Sequence, residues 1–264
     1  MPTPAATGPL VTRDTLAAQL RLLGVEPGEI LLVHSSLRSL GWVNGGAVAV
    51  VRGLLDALGP TGTLVVPTQS ADLSDPALWS RPPVPPQWWD RIRATMPPYD
   101  PLITPSRGVG VIPETVRTWP GALRSAHPHT SFAALGPHAR EITDGHAPDC
   151  RLGERSPLAR LEKLGARVLL LGAGYDACTS FHLAEYRIPA PLVPVGRPAP
   201  GGGWETVTEV SISSDRFDEL GHDFERDRPV VRGKAGAADV RLFPVADAVA
   251  YAERWLPLHR PREE

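Results

Sequence analysis

Lysine is nearly missing from this chain. Of its 27 basic residues only Lys163 and Lys234 are lysines, so positive charge rests almost entirely on arginine. Cysteine is as scarce. Cys150 and Cys178 alone cannot build a disulfide scaffold or a four-cysteine zinc site. Charge of one sign is lacking too. Twenty-nine acidic residues offset the basic ones to a formal −2, which argues against the basic face of a nucleic-acid-binding protein. No apolar run approaches the ~18 residues of a membrane span. Residues 1–7, Met1-Pro-Thr-Pro-Ala-Ala-Thr7, carry neither the basic flank nor the apolar core of a secretory signal. The expectation is a cytoplasmic protein that binds neither nucleic acid nor membrane. Two motifs are missing as well. No Gly-x-x-x-x-Gly-Lys-Ser/Thr phosphate loop is present, and no Gly-x-Ser-x-Gly elbow of a serine hydrolase.

The chain is 264 residues long, enough for one large α/β unit that buries about three quarters of its unfolded surface. Residues 1–264 are therefore expected to form a single domain. Proline is abundant: 30 in all, nine of them from Pro76 to Pro105. That density argues against regular helix or central strand, because proline fixes φ and donates no hydrogen bond. Trp79, Trp88, Trp89 and Tyr99 in the same stretch favour an ordered loop over a disordered one. Pro189 to Gly203 is a second loop, rich in proline and glycine.

Asp14 or Thr15 is expected to cap a helix with Leu16, Leu20 and Leu23 on one face and Gly24 as its stop. Glu29-Ile-Leu-Leu-Val33 has the pattern of a buried strand, ending in His34-Ser35-Ser36. A helix follows Gly46 with Val48, Val51, Leu55 and Leu58 on one stripe, and Gly62-Thr-Leu-Val-Val66 is a second strand. Strand, helix and strand at this spacing form a βαβ unit of parallel sheet. Further on, Thr130–Leu135 and Val207–Ser213 are candidate strands. Pro157 opens a short helix, and Val245–Leu256 is a terminal helix. Arg167-Val-Leu-Leu-Leu171 is the clearest central strand, followed by Thr179-Ser180 as the cap of a helix carrying His182 and Glu185. The expected class is α/β, with helices on both faces of a sheet.

Three groups invite chemistry. Gly172-Ala-Gly174-Tyr-Asp-Ala177 fits a dinucleotide fingerprint, but the acidic residue due about 20 positions later falls in the proline-rich Ile188–Pro194. His127-Pro128-His129 is the one close histidine pair, read either as a turn with His127 bonded to backbone or as two ligands of a metal. His182 and Glu185 lie three apart on a helix, so imidazole and carboxylate share a side. That arrangement suits a general base, and it equally describes an ordinary surface pair. Placement favours the base, because ligand sites open beyond the carboxyl ends of parallel strands. By the same rule His34, Ser35, Ser36 and Leu37, at the end of the first strand, offer hydroxyls and amides to a phosphate or amide ligand.

These segments together resemble the aminoglycoside 3-N-acetyltransferase family. The stretches that carry the resemblance are Leu32-Val-His-Ser-Ser-Leu37, Gly62-Thr-Leu-Val-Val-Pro-Thr68, Thr104-Pro-Ser-Arg-Gly108, His127-Pro-His-Thr-Ser-Phe-Ala-Ala-Leu-Gly136 and, most specific, Val168 to Glu185. The resemblance implies a three-layer α/β/α fold, with a central, largely parallel or mixed sheet, distinct from that of the common small N-acetyltransferases. It implies acetyl transfer from acetyl-CoA to the 3-amino group of a deoxystreptamine aminoglycoside, and so antibiotic resistance, with no metal. His182 would be the base, Glu185 its support and Asp72 an active-site carboxylate. His34, Ser35, Ser36 and Leu37 would line the coenzyme tunnel on one side, with Ser106, Arg107 and Gly108 on the other. One departure is Ala177-Cys178, where many members carry a small polar residue and then Asn. Asp75, Asp90 and Asp100, alternating with the aromatics of the 76–105 loop, join Asp72 as candidates for binding a polycationic acceptor, with Asp223 and Glu225 as a fallback. A monomer or homodimer is expected. Three competing functions remain open: acetylation of a different amine, a metal-dependent hydrolase using His127, His129 and Asp72, and a coenzyme A-binding protein without turnover.

Overall fold

The computed structural model describes residues 8–260; the stretch weighed as a possible secretory signal, residues 1–7, lies outside them. In chain order the first elements are α1 (Arg13–Leu22), β1 (Ile30–Ser35), α2 (Gly46–Leu58), β2 (Thr63–Pro67), α3 (Trp89–Thr95), α4 (Val111–Arg117), β3 (Leu123–Arg124), β4 (Phe132–Leu135) and α5 (Ala139–Thr143). There follow α6 (Pro157–Lys163), β5 (Arg167–Leu171), α7 (Phe181–Glu185), β6 (Leu192–Pro198), β7 (Trp204–Val210), α8 (Phe217–Asp227), β8 (Val231–Ala235), β9 (Ala238–Pro244) and α9 (Val245–His259). Seven strands form one sheet in the order β3-β4-β2-β1-β5-β9-β8. Its middle is parallel, β2-β1-β5, and both flanks are antiparallel, so the sheet is mixed.

Period-two alternation builds the three layers. In β1, Ile30 and Leu32 face one core with α5 to α9, while Leu31 and Val33 face the other with α1, α2 and α4. In β5, Val168 and Leu170 go with the first group and Leu169 and Leu171 with the second. Both strands are thus buried on both faces, as a parallel centre demands. The β1–α2–β2 unit forms as expected, with Ile30 beside Thr63 and Leu32 beside Val65.

Several local expectations are corrected. The cap of α1 is Thr12, not Asp14 or Thr15: its hydroxyl accepts from the Thr15 amide, and the Thr15 hydroxyl accepts from the Thr12 amide in return. In α2 the buried stripe runs through Val50, Val51, Leu54, Ala57 and Leu58, while Val48 is 48% exposed. The proline-rich stretch holds one α-helix, α3, in the gap between Pro86 and Pro97 where every residue keeps its amide, besides two single 3-10 turns at Pro76–Leu78 and Pro86–Trp88. Pro189 to Gly203 is not all loop, since β6 pairs with β7 in a separate hairpin, Pro194 opposite Thr208 and Pro198 opposite Trp204. Register explains the tolerance. The Ser211 amide bonds the Pro191 carbonyl and the Ala199 amide bonds the Gly203 carbonyl, so odd-numbered positions of β6 make the ladder. Pro194 and Pro198 fall on the outward-facing positions, where no donor is needed.

Candidate active site

Strands β1 and β5 run parallel, with His34 beside Leu170 and Ser35 beside Leu171, and both end at the same cleft. Gly172 lets the chain turn away from β5 at once. It has φ +69°, and a Cβ there would come within 2.5 Å of the Ser39 Cβ, so only glycine lets the 36–39 turn approach. That turn is braced by the Ser39 hydroxyl donating to the Ser36 hydroxyl at 2.9 Å.

The cleft encloses about 790 Å³. His34, Ser35, Ser36, Leu37 and Arg38 form one wall, Gly108 to Val111 another, and Ala173, Ala177, Thr179 and His182 a third. Gly108 stands at φ +79° with nothing within 4 Å of the place a Cβ would take, which leaves bare backbone facing open space. The Ser35 hydroxyl is buried without a hydrogen-bond partner among the described residues. Arg38 is exposed at the rim, and its guanidinium makes no hydrogen bond or ion pair among the described residues.

His182 stands on α7, whose Phe181, Leu183, Ala184 and Glu185 are buried. Ser180 stands at the N-cap of this helix, but its hydroxyl bonds none of the helix amides, and Thr179 lies 3.4 Å from the His34 Nε2. The His182 Nδ1 is 2.6 Å from the Glu185 Oε2, and Glu185 is wholly buried. Burial pushes the Glu185 carboxyl up, but the His182 hydrogen bond, the charges of His182 and Arg260, and the Ser213 peptide N–H outweigh it and hold the group below its ordinary value. An ionised Glu185 accepts the proton on Nδ1, which leaves Nε2 as the basic nitrogen. His34 is different. Burial and then the charge of His182 lower it to about 3, so it stays neutral. Burial pushes the Cys178 thiol up to about 12, so it holds its proton.

The structure thus brings His34, Ser35, Ser36, Leu37, Gly108 and His182 to one cavity, with Glu185 directly behind His182. Ser106 and Arg107 are turned to other partners. The Ser106 hydroxyl donates to Glu114, and the Arg107 Nε donates to Asp72 at 2.7 Å. Asp72 is therefore an exposed ion-pair member outside this lining. A second cleft of about 460 Å³ shares Gln69 with the first, and Asp75, His129, Arg151, Val193 to Gly196 and Ile212 line it. Asp90 and Asp100 line neither cleft: Asp90 is fully exposed against Arg93, and Asp100 caps its own turn by accepting from the Leu102 amide. Asp223 and Glu225 are committed elsewhere, to Trp255 and Arg226, and to Tyr175, Arg232 and Arg241. Nor do His127, His129 and Asp72 converge. The His127 Nδ1 accepts from the amides of His129 and Thr130, as the turn reading expects, and the His129 Nε2 bonds the Leu73 carbonyl.

The sequence profile of the family described as aminoglycoside 3-N-acetyltransferase matches residues 32–257. The chain belongs to that family. The matched residues include all three walls of the cleft and the His182–Glu185 helix. Among its relatives, the SPbeta prophage-derived aminoglycoside N(3')-acetyltransferase-like protein YokD of Bacillus subtilis (strain 168) is 45% identical over 253 residues, covering 92% of each chain. Aminoglycoside N(3)-acetyltransferase VIII of Streptomyces fradiae is 38% identical over 272 residues, covering 95% of this chain and 93% of its own. The crystal structure of YokD superposes with a TM-score of 0.93 at 43% identity, over 98% of this chain and 97% of that one. The binary complex of AAC-IIIb with CoASH gives a TM-score of 0.81 at 33% identity, over 97% of this chain and all of that one. The chain is accordingly an acyltransferase of the aminoglycoside 3-N-acetyltransferase family. Among the described residues no helix is long and apolar enough to cross a membrane.

Sequence reasoning missed Arg38, Gln69, Thr179 and Ser214 as cleft-lining residues, and Ser213 and Arg260 behind it. Thr179 lies inside the run Val168 to Glu185, so its motif was visible and only its hydrogen-bond role was misjudged. Arg260 has no local signal, since its partner Glu185 is 75 positions away.

Proposed function

We propose that this protein transfers acetyl from acetyl-CoA to the 3-amino group of a deoxystreptamine aminoglycoside, and so confers resistance. The observation that carries the reading is His182 at the cleft with its Nδ1 on a buried, ionised Glu185. An aliphatic ammonium cannot attack a thioester until it loses a proton. The His182 Nε2 accepts that proton, a step typically worth ~10²–10⁴ in rate. The freed amine attacks the acetyl carbonyl and the C–N bond forms; the C–S bond breaks, the coenzyme thiolate takes the proton held by His182, and the second proton of the attacking nitrogen, made acidic by the new bond, passes to water, so the products are amide, thiol and one proton. No acyl-enzyme is needed, and the protonated Cys178 is not its nucleophile.

The donor fits the first cleft. The unpartnered Ser35 hydroxyl and the bare backbone at Gly108 suit a pantetheine arm, and the unpaired Arg38 suits its phosphates. The acceptor fits the second cleft, which meets the first at Gln69. There Asp75 gives its Oδ1 to Arg93 and the Ala77 amide, while its Oδ2 makes no hydrogen bond among the described residues. The test is thiol release from acetyl-CoA against a panel of aminoglycosides. Amine-dependent release with an N3-acetylated product supports the assignment. Release with other amines alone transfers it to a different acceptor, and no release with any amine refutes it.

A further inference from the structure

Behind the His182–Glu185 pair lies a cation from the far end of the chain. Arg260, the C-cap residue of α9, places its Nη2 on the Glu185 Oε1. Its Nη1 donates to the Ser213 carbonyl at 2.5 Å and the Asp215 carbonyl at 3.1 Å. The guanidinium carbon lies 5.7 Å from the centre of the Phe217 ring, and that ring is 4.8 Å from the His182 ring. Arg260 is only 13% exposed and Glu185 is wholly buried. A planar fork held on four sides in this way has one orientation, unlike a flexible lysine.

We infer that Arg260 is a positioning residue for acetyl transfer: by holding Oε1 it fixes the Glu185 carboxylate so that Oε2 keeps the proton on His182 Nδ1 and leaves Nε2 free. The role rests on His182 being the base. Four features surround the pair from packed elements: neutral His34 from β1, the Ser213 peptide N–H from the 211–216 connection, the Phe217 ring from α8, and Arg260 itself. Arg260 is the one fixed positive charge among them. Without it the buried carboxylate keeps the imidazole and the Ser213 N–H but loses this fixed positive charge, and the protonated form of the ring is favoured.

The experiment uses Arg260→Gln and Arg260→Lys in the full-length protein. Nitrogen-15 NMR of the free protein reads the His182 tautomer, and steady-state kinetics read kcat, KM and their pH dependence. Arg260→Gln is expected to mix the His182 tautomers, move the acid limb of kcat to higher pH and lower kcat by ~10–100-fold, as loss of an outer hydrogen-bond partner typically does. The acetyl-CoA KM should stay within about twofold, because Arg260 is not part of the cleft lining. Arg260→Lys keeps the charge and is expected to restore the single tautomer and part of kcat. An unchanged tautomer and pH profile in Arg260→Gln overturns the inference. So does a loss of kcat that follows melting temperature in both variants with the tautomer unmoved. The NMR measurement needs no substrate, so it decides on Arg260 even if the wild-type enzyme turns over none of the amines tried.

Discussion

In the proposed reaction one imidazole nitrogen takes a proton from an ammonium, and every contact around His182 bears on which nitrogen that is. Glu185 holds Nδ1, and Arg260 and the Ser213 amide hold Glu185. Cys178 sits three residues before Phe181 and is buried completely, with its thiol pushed up to about 12. At pH 7 to 8 it is a neutral apolar side chain. Cys178→Ser should therefore keep most activity, and initial-rate plots against both substrates should intersect. Parallel plots with a trapped acetyl-cysteine would show a covalent route. The residue scale also marks where sequence reasoning reached its limit. His34 to Leu37 and His182 were legible because ligand sites open where parallel strands end, whereas Gly108 was reached only through the family resemblance. Arg260 was not, because nothing near it in sequence tells a guanidinium on a terminal helix which buried carboxylate it will meet.

At the scale of elements, the hydrophobic pattern of β1, α2, β2 and β5 was strong enough to read, since each strand is apolar on both sides. The hairpin β6–β7 was hidden by its own prolines. Their meaning depends on which positions face the partner strand, and register is a property of the pair, not of one segment. The 76–105 segment was legible in part. Tyr99 donates to the Ser125 carbonyl and Trp79 to the Ser74 hydroxyl, so its aromatics anchor it as expected. Its acids do not act as one set. Only Asp75 lines the second cleft, whereas Asp90 and Asp100 line neither. Asp75→Asn should raise the acceptor KM by about tenfold, the worth of one charge-assisted hydrogen bond, and leave the acetyl-CoA KM unmoved. Asp90→Asn and Asp100→Asn should change neither. Equal effects at all three positions would mean that general surface charge, not the second cleft, attracts the acceptor.

The molecule as a whole carries a cost in acid. Burial, with neighbouring positive groups, lowers His34 to about 3, His129 and His146 to about 4, and His127 further still. The unfolded chain binds protons on these rings near pH 6.5 and the folded one does not, so their contribution is complete above about pH 6.5 and drains away as pH falls toward about 4. Each ring contributes a slope of about 1.4 kcal/mol per pH unit within that window. Glu209, pushed up by burial against Arg151 and Arg197, is one group of opposite sign, so the sum still favours loss of stability in acid. The Glu185 contribution is held until pH falls below about 4.3 and is lost only beneath that. Urea unfolding at pH 7, 6 and 5 should show stability falling steeply, and a flat profile would mean that these rings are protonated in the folded state. The central claim, that His182 takes the proton in a direct transfer, is tested most directly by single-turnover acetyl transfer in His182→Ala, with acetyl-CoA affinity measured by calorimetry on the same protein. The account predicts a loss of at least ~10²-fold in the transfer rate with affinity unchanged; a folded His182→Ala enzyme that transfers acetyl at close to the wild-type rate would contradict it.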